Sequence, residues 1–342
     1  MLENNAWSNL RNNPSAPYIN NILLPIASFC DQYHNVPKLH PSLPNYLWLE
    51  AGTNFGIADN FDPPFVHQNT TNHLTTLLNA AGISWKVYQQ HLSGTNLPFS
   101  STSLISCRHN PFLYFDDVTG TNNPIDPYGL ARIRPYDELA ADLTNNTVAR
   151  YNFIIPDDYN DMHTPLPPLN DPIGQGDMWL SQEIPRILSS EAFTNGGALF
   201  IAFDETDTDA NDILPLLVLS PAAKGGGYAS HVYYNHSSML RTMQELFAVF
   251  PYLGDAAHAE NLADLFGPPV FKFNSINKDT NGSMDLEISG ARAGSTNLLQ
   301  TSTNLIQWDC LSTNVAPSAL FTLTDTNTAG VNQQFYRVLQ LP

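Results

Sequence analysis

Short apolar runs alternate with amphipathic helical stretches between about residues 18 and 270, and this alternation constrains the fold more than any other feature of the sequence. The apolar runs have the length of strands buried on both faces, and they lie at residues 151–156, 198–203 and 214–219. The stretches between and around them have helical periodicity and lie at residues 74–81, 136–145, 178–190 and 237–250. Strands separated by helices in this order predict an α/β fold with a mostly parallel sheet.

The end of the chain differs in composition from the rest. After Gly267 the sequence is rich in Thr, Asn and Ser, and alternating apolar positions at residues 284–288 and 335–339 predict short strands. We therefore expect two domains, a larger one at residues 1–268 and a small all-β one at residues 269–342.

This second domain resembles a β-sandwich module that recurs at the C-termini of exported bacterial proteins. The resemblance rests on residues 299–305, on Trp308 and on the closing strand at residues 335–338. It implies an accessory or surface-attachment domain, with Trp308 in its core. A glycan-binding role for the module is the alternative.

The balance of charge limits the partners of the protein. With 32 acidic and 14 basic residues the net charge is -18, which argues against binding nucleic acid or an anionic membrane surface. A phosphate-ester substrate would need a local cation to offset this repulsion, so a bound divalent ion is expected if phosphate is handled. No apolar run approaches the roughly 20 residues of a membrane span, and three cysteines exclude a disulfide scaffold.

The composition is of a kind more common in exported than in cytosolic proteins, although a cytosolic location is the alternative. Charged residues make up 13% of the chain, while Asn, Thr, Ser and Pro are abundant. We therefore expect a secreted, periplasmic or extracellular protein, with a signal peptide and a first strand upstream of Met1. Without that strand, Glu3 and Asn4 would be poorly anchored.

One candidate site residue is a serine between two prolines. Pro41 and Pro44 fix the backbone around Ser42, and a rigid, exposed hydroxyl suits a nucleophile activated by a metal ion. Asn45 can donate an amide hydrogen to a phosphoryl oxygen. The alternative is that Ser42 and Asn45 only cap a helix at residues 45–50.

Acidic residues that follow apolar runs are the other candidates, because ligands of open α/β sheets bind beyond the carboxyl ends of the strands. Residues 157–163 contain three aspartates and His163, which predicts a metal site or an acid/base pair. Asp204 and Glu205 follow the next run, where adjacent carboxylates repel each other unless a cation neutralises them. Glu3 and Asn4 offer two more oxygen ligands, although Asn4 is equally suited to capping.

Two further histidines are candidates. His109 lies beside Arg108, one of few cations in the chain, whereas His236 precedes a helix and has a capping or packing role as its alternative.

These residues belong to motifs that occur in a fixed order: Glu-Asn at residues 3–4, His-Pro-Ser-Leu-Pro-Asn-Tyr at 40–46, Ser-Trp-Lys-Val-Tyr at 84–88, Arg-His-Asn-Pro-Phe at 108–112, Asn-Asp-Met-His at 160–163, Gly-Asp-Met-Trp-Leu at 176–180, Phe-Asp-Glu at 203–205 and His-Ser-Ser-Met-Leu-Arg-Thr at 236–242. From Leu2 to about Phe266 the chain resembles the bacterial and fungal phosphoesterase family of acid phosphatases and non-zinc phospholipases C. That family is similar to a branch of the alkaline phosphatase superfamily. The resemblance implies a three-layer α/β/α fold and a phosphoserine mechanism.

The resemblance also implies roles for individual residues. One or more divalent metal ions would be held by Glu3, Asn4, Ser42, Asp204 and Glu205. Ser42 would be the nucleophile, His109 and His163 would face the phosphate and the leaving group, and Asp161 would orient His163. The substrate would be contacted by Asn45, His40 and His236. Thr164 stands where the family usually has an aspartate, and Glu205 where some relatives have Asp.

The expected function is hydrolysis of phosphomonoesters, because the core lacks the long insertions of the larger phospholipases. One alternative is phospholipase C activity on phosphocholine lipids, which would require an aromatic cage to which Trp48, Trp85 and Tyr88 could contribute. A second alternative is a catalytically silent, exported binding protein.

Overall fold

The structure is a computed structural model, and it describes residues 1–37, 39–206, 213–267, 271–291, 295–317, 320–326, 328 and 333–340. The chain divides into two compact units, Met1–Phe266 and Gly267–Pro342.

The first unit is built on mostly parallel strands. Within its described residues, the strands are β1 (Ser28–Cys30), β2 (Tyr33–His34), β3 (Trp85–Gln89), β4 (Ile133–Pro135), β5 (Tyr151–Ile155), β6 (Leu199–Ala202), β7 (Leu216–Leu219), β8 (Tyr228–Ser230) and β9 (Tyr234–Asn235). One sheet has the order β4-β3-β5 and is parallel throughout. A second sheet has the order β6-β7-β1-β8, and β7 runs antiparallel to both of its neighbours, while β2 and β9 form a separate parallel pair. The three predicted apolar strands are confirmed as β5, β6 and β7, all partly or fully buried.

Residues 1–3 lie between the sheet that contains β5 and the sheet that contains β6. The Met1 amino group donates to the Ile154 carbonyl in β5, 3.0 Å away, while Leu2 forms a parallel bridge with Phe203 beyond β6. The Glu3 N–H donates to the Asp161 carbonyl at 2.8 Å. Backbone hydrogen bonds on both sides therefore anchor Glu3 at the carboxyl ends of β5 and β6.

Helices connect these strands. Those of the described residues are α1 (Trp7–Leu10), α2 (Leu24–Ile26), α3 (Ser42–Ala51), α4 (Pro63–Val66), α5 (Leu74–Ala80), α6 (Asp116–Thr119), α7 (Pro127–Leu130), α8 (Glu138–Thr144), α9 (Pro172–Leu188), α10 (Glu191–Thr194) and α11 (His236–Phe247), with a π-helical turn at Ile19–Leu23 and 3₁₀ turns at Cys107–His109, Pro111–Tyr114, Gly254–Ala257 and Leu262–Leu265. Helices α3, α5 and α11 pack together, as do α8, α9 and α10. The α/β prediction is confirmed.

Local chemistry explains where the predicted helices begin and end. Helix α9 starts earlier than expected because the Asp171 side chain caps it at Gly174 N–H, ahead of Pro172 at its first position. Helix α11 begins after Asn235, whose side chain forms a capping box with Ser238, and ends where Ala248 turns left-handed. None of the helices in the described ranges is long and apolar enough to cross a membrane.

The second unit consists of two antiparallel sheets. The described strands are β10 (Lys272–Lys278), β11 (Met284–Ser289), β12 (Thr296–Ser302), β13 (Asp309–Val315), β14 (Leu320–Asp325) and β15 (Phe335–Gln340), in the orders β10-β11-β14 and β13-β12-β15. Leu286, Ile288 and Phe321 from one sheet share a core with Leu299 and Val338 from the other.

The expectation that Trp308 fills this core is wrong. Its ring is only partly buried and lies outside the core cluster. The indole N–H donates to the Leu305 carbonyl at 3.2 Å, and the Arg337 guanidinium lies 4.3 Å from the ring centre. The tryptophan therefore lies at the surface of the β unit. Cys310 is an exposed free thiol in the same unit, and Cys30 and Cys107 are buried free thiols in the first.

Candidate active site

Ser42 is the first residue of α3, and its hydroxyl does not cap the helix. The residue before it, Pro41, makes no side-chain cap. Ser42 is 5% exposed, and its Oγ lies 3.2 Å from Glu3 Oε2 and 3.3 Å from Glu205 Oε1. The hydroxyl is therefore held between two buried carboxyl groups, brought together from the N-terminus and from the end of β6.

Asp204 completes the group that we call the Ser42 cluster: Glu3, Ser42, Asp204 and Glu205. Its Oδ1 accepts the Asn4 N–H at 3.0 Å, while its Oδ2 is buried without a hydrogen-bond partner. Asn4 has a left-handed backbone, with φ of 46°, and its side-chain amide lies 3.4 Å from Glu205 Oε1. This backbone turn brings Asn4 against both acidic residues of the β6 end.

The carboxyl groups of the Ser42 cluster are poor anions in the protein alone. Burial raises the pKa of Glu3 to about 7. Burial, with repulsion from Asp204 and Glu3, raises the pKa of Glu205 to about 9. The pKa of Asp204 lies well above its usual range for the same reasons, burial first and then the charge of Glu3. A cation at this point would favour the ionised forms.

A second group of ligand-type side chains adjoins the first, and we call it the His109 triad: His109, Asp158 and Asp161. One nitrogen or oxygen from each lies within 4.8 Å of the others. Tyr46 connects the two groups, since its hydroxyl donates to Glu3 Oε1 and its ring stacks on His109 with centroids 5.5 Å apart. His109 Nε2 is 3.2 Å from Glu3 Oε2. Burial, and then the nearby Arg108 charge, lowers the pKa of His109 to about 3, so the imidazole is neutral.

His163 lies at the solvent side of this region. Its side chain is exposed, and its Nδ1 is 3.2 Å from the hydroxyl oxygen of Thr164. Asp161 Oδ1 accepts the backbone N–H of His163 at 2.9 Å. This contact joins the Asp161 side chain to the backbone of His163, and the role of Asp161 in orienting the imidazole stays a prediction.

The three residues expected to contact substrate have different surroundings. His40 is 44% exposed and its Nδ1 is 2.6 Å from Glu205 Oε2. The Asn45 amide nitrogen donates to Glu205 Oε2 at 3.1 Å and to the carbonyls of Leu39 and Pro41. His236 is fully buried, with Nδ1 2.7 Å from the Tyr33 hydroxyl and Nε2 2.5 Å from the Asp204 carbonyl oxygen.

Sequence reasoning missed two residues of the site. Tyr46 was quoted only as the end of a motif, although its position one helical turn after Ser42 places both on one face of α3. Asp158 was one of the three aspartates at residues 157–163 expected to form a metal site or an acid/base group, but it received no individual role. Asp207, which follows Asp204 and Glu205 in the same acidic segment, lies outside the described residues.

The sequence of residues 13–250 matches the model of the phosphoesterase family. The chain belongs to the phosphoesterase family. The matched segment contains Ser42, the His109 triad and the acidic pair after β6, while Glu3 and Asn4 precede it. Hydrolysis of phosphoric ester bonds is the chemistry of this family and of the relatives that follow.

Three relatives of this family member carry names of such hydrolases. The chain is 26% identical over 265 residues to a phosphatidylinositol-3-phosphatase of Mycobacterium tuberculosis, covering 78% of this chain and 80% of that protein. It is 27% identical over 227 residues to a probable acid phosphatase of Kluyveromyces lactis, covering 63% and 50% respectively. It is 27% identical over 206 residues to phospholipase C A of Mycobacterium tuberculosis, covering 58% and 37%. The chain thus spans about half or less of the last two relatives.

Proposed function

We propose that the protein is a metal-dependent phosphomonoesterase of acid phosphatase type that works through a phosphoserine at Ser42. The observation that carries this proposal is the position of the Ser42 hydroxyl, 3.2 and 3.3 Å from two buried carboxyl groups beside the unpartnered oxygen of Asp204. A serine that merely capped α3 would direct its oxygen to the backbone of the first helical turn.

The Ser42 cluster fits a divalent cation. Its donors, with the side chain of Asn4, are all of the oxygen type that hard cations bind, and Asp204 Oδ2 is a buried acceptor without a hydrogen bond. We assign Glu3, Asn4, Ser42, Asp204 and Glu205 as ligands of one ion, and its identity is open. A bound ion would lower the pKa of the serine hydroxyl and offset the negative charge of the phosphoryl group.

The side chains around Ser42 suggest how protons move. When Ser42 Oγ forms its bond to phosphorus, its proton passes to Glu3 or Glu205, the two carboxylates within hydrogen-bonding distance. The bond from phosphorus to the leaving oxygen breaks, and the exposed His163 donates a proton to that oxygen. Water then forms a new bond to phosphorus and gives a proton to His163, the bond from phosphorus to Ser42 Oγ breaks, Oγ takes back the proton held by the carboxyl group, and phosphate is released.

Neighbouring residues hold this arrangement in place. Asn45 and His40 both contact Glu205 Oε2. We therefore assign them two roles: they hold Glu205 in position, and they bind the phosphoryl oxygens of the substrate. The ring nitrogens of His236 contact Tyr33 and the Asp204 backbone, which supports positioning of Asp204 in preference to direct substrate contact. His109 and Asp161 complete the polar wall next to Glu3.

Monoester preference is supported by two relatives whose names denote removal of phosphate, one of them covered over 80% of its length. The named phospholipase C supports the second candidate, hydrolysis of phosphocholine diesters. An aromatic cage for choline finds little support here, because Trp85 and Tyr88 are buried in β3 and the Trp48 indole donates to Ser237. We propose export from the cell, and a surface-attachment or glycan-contact role for the β unit.

Turnover of an aryl phosphate and of a phosphocholine diester tests these proposals side by side. We expect faster hydrolysis of the aryl phosphate, and loss of both activities on exhaustive chelation with recovery on adding a divalent ion. Faster turnover of the diester would favour the phospholipase candidate. Absence of both activities in metal-loaded protein would favour the silent binding protein.

A further inference from the structure

The His109 triad has the features of a metal site of its own. His109 and Asp161 are 2% and 1% exposed, and Asp158 is half-buried. Asp158 Oδ1 and Asp161 Oδ2 are buried oxygens without hydrogen-bond partners. They lie 3.9 and 3.8 Å from His109 Nδ1, which is too far for a hydrogen bond. Three ligand atoms thus face one another without satisfying one another.

Both aspartates of the triad are held through their other oxygen. Asp158 Oδ2 accepts the Ser106 hydroxyl at 2.8 Å, and Asp161 Oδ1 accepts the backbone N–H of His163 at 2.9 Å. The His109 ring is held by stacking on Tyr46, and its Nε2 lies 3.2 Å from Glu3 Oε2 without a hydrogen bond. The two aspartates thus have the arrangement of metal ligands whose outer oxygens are fixed by neighbours while the inner oxygens converge.

We propose that His109, Asp158 and Asp161 bind a second divalent cation, next to the one assigned to the Ser42 cluster. Two ligand atoms that each lie about 2.1 Å from an ion can be at most about 4.2 Å apart. The separations from His109 Nδ1 to the two aspartate oxygens satisfy this limit. One imidazole with two carboxylates favours Zn²⁺ or Mn²⁺ over Mg²⁺, which prefers an all-oxygen shell with several waters.

The second ion would lie on the Glu3 side of the nucleophile. Glu3 Oε2 is within 3.2 Å of both Ser42 Oγ and His109 Nε2, so this one carboxylate adjoins both groups. The structure thereby offers a pair of neighbouring cation sites, an arrangement that can stabilise both the attacking and the leaving oxygen in phosphoryl transfer. Binding at the triad does not require that Ser42 be the nucleophile.

The test is a count of bound ions in the full chain. Chelator-stripped protein is loaded with Mn²⁺ or with Zn²⁺, freed of unbound ion and analysed by elemental mass spectrometry. We expect two ions per wild-type chain, one after Asp158→Asn and one after Asp204→Asn. Asp157→Asn is the matched control, because Asp157 is an adjacent buried aspartate whose oxygens contact His91 and backbone N–H groups; this variant should keep two.

Ser106→Ala is a gentler variant that guards against misfolding of Asp158→Asn. It removes only the hydrogen bond that fixes Asp158, and we expect one of the two ions to bind about 10- to 100-fold more weakly. An unchanged ion count and affinity in both Asp158→Asn and Ser106→Ala would overturn the second site. An unchanged ion count in Asp204→Asn, with one ion fewer in Asp158→Asn, would instead contradict the metal proposed for the Ser42 cluster, so the two failures are distinguishable.

Discussion

Two buried polar clusters of the first unit differ in how their charges are satisfied. Around His73, which is fully buried, Nδ1 lies 3.0 Å from Glu50 Oε1 and Nε2 lies 2.9 Å from Asp117 Oδ1, while Thr75 donates twice to Glu50. We call His73, Glu50 and Asp117 the His73 cluster. In the Ser42 cluster, three carboxyl groups face one serine, and Asp204 Oδ2 has no partner.

The comparison separates polar groups that support the fold from groups that we propose bind an ion. In the His73 cluster the two ring nitrogens of one histidine each face a carboxyl group inside the protein. The carboxyl groups of the Ser42 cluster repel each other when they are ionised, and in the proposed function a bound cation supplies their counter-charge. Substitutions in the first should therefore alter stability, and substitutions in the second should alter activity and ion binding.

The largest expected effect is on turnover. Ser42→Ala removes the proposed nucleophile and should lower kcat for an aryl phosphate by about 10⁴-fold or more. Its unfolding midpoint in denaturant should remain close to that of wild type. The exposed Ser8→Ala in α1 is the matched control and should leave kcat unchanged. A Ser42→Ala variant with near-normal turnover would remove this residue from the mechanism.

The next effect is on stability. His73→Ala leaves Glu50 buried without its partner, and we expect it to lower the free energy of unfolding by about 3–5 kcal/mol. His67→Ala removes a similar histidine-aspartate pair that is partly exposed and should cost about 1 kcal/mol or less. Chemical denaturation measures both. If both variants lost the same free energy of unfolding, the His73 cluster would be no more important for stability than an exposed pair, which would contradict this prediction.

The His73 cluster should also make stability depend on pH. Burial alone would lower the pKa of His73, but Asp117 and Glu50 raise it from 6.5 to about 9. Because the folded pKa is the higher one, this contribution is fully present below about pH 6.5 and is lost as pH rises to about 9, on the order of 3 kcal/mol. Unfolding curves at several pH values should show a slope in this window for wild type that is absent in His73→Ala.

A smaller effect is expected from ion binding. Protein stripped of metal by a chelator should gain stability when Mn²⁺ or Zn²⁺ is added. At a free ion concentration of 100 times the dissociation constant, the free energy of unfolding should rise by about 2.7 kcal/mol per site. Asp204→Asn should reduce this gain while changing the stability of the metal-free protein little. Asp142→Asn serves as the control, since Asp142 pairs with Lys86 and should leave the ion-dependent gain intact. A full gain in Asp204→Asn would contradict the ligand assignment.

Much of this fold could be predicted because burial leaves a local signature. The strands β5, β6 and β7 are short apolar runs, and the helices between them show their periodicity in the sequence. The direction of β7 leaves no such signature, because a buried run is equally apolar in parallel and antiparallel pairing. Trp308 was misplaced because an aromatic residue in an all-β module suits both a core and a surface position.

The sequence predicted several side chains that lie close together in the structure, but it did not predict the contacts between them. Family order brought together Glu3, Ser42 and the acidic pair after β6, but which atoms lack partners depends on distances across the fold. The His73 cluster was missed altogether, since Glu50, His73 and Asp117 are far apart in the chain and belong to no motif. The backbone contact from Asp161 to His163 was likewise invisible, because neighbours in sequence can meet through main chain or side chain.

The most direct test of the central claim is to trap the phosphorylated enzyme. Metal-loaded protein is mixed with an aryl phosphate, quenched in acid during turnover, digested and mapped by mass spectrometry. We predict one phosphoryl group on Ser42 in wild type and in Ser8→Ala, and none in Ser42→Ala. A phosphoryl group on another residue, or rapid turnover without any phosphoserine, would contradict the account.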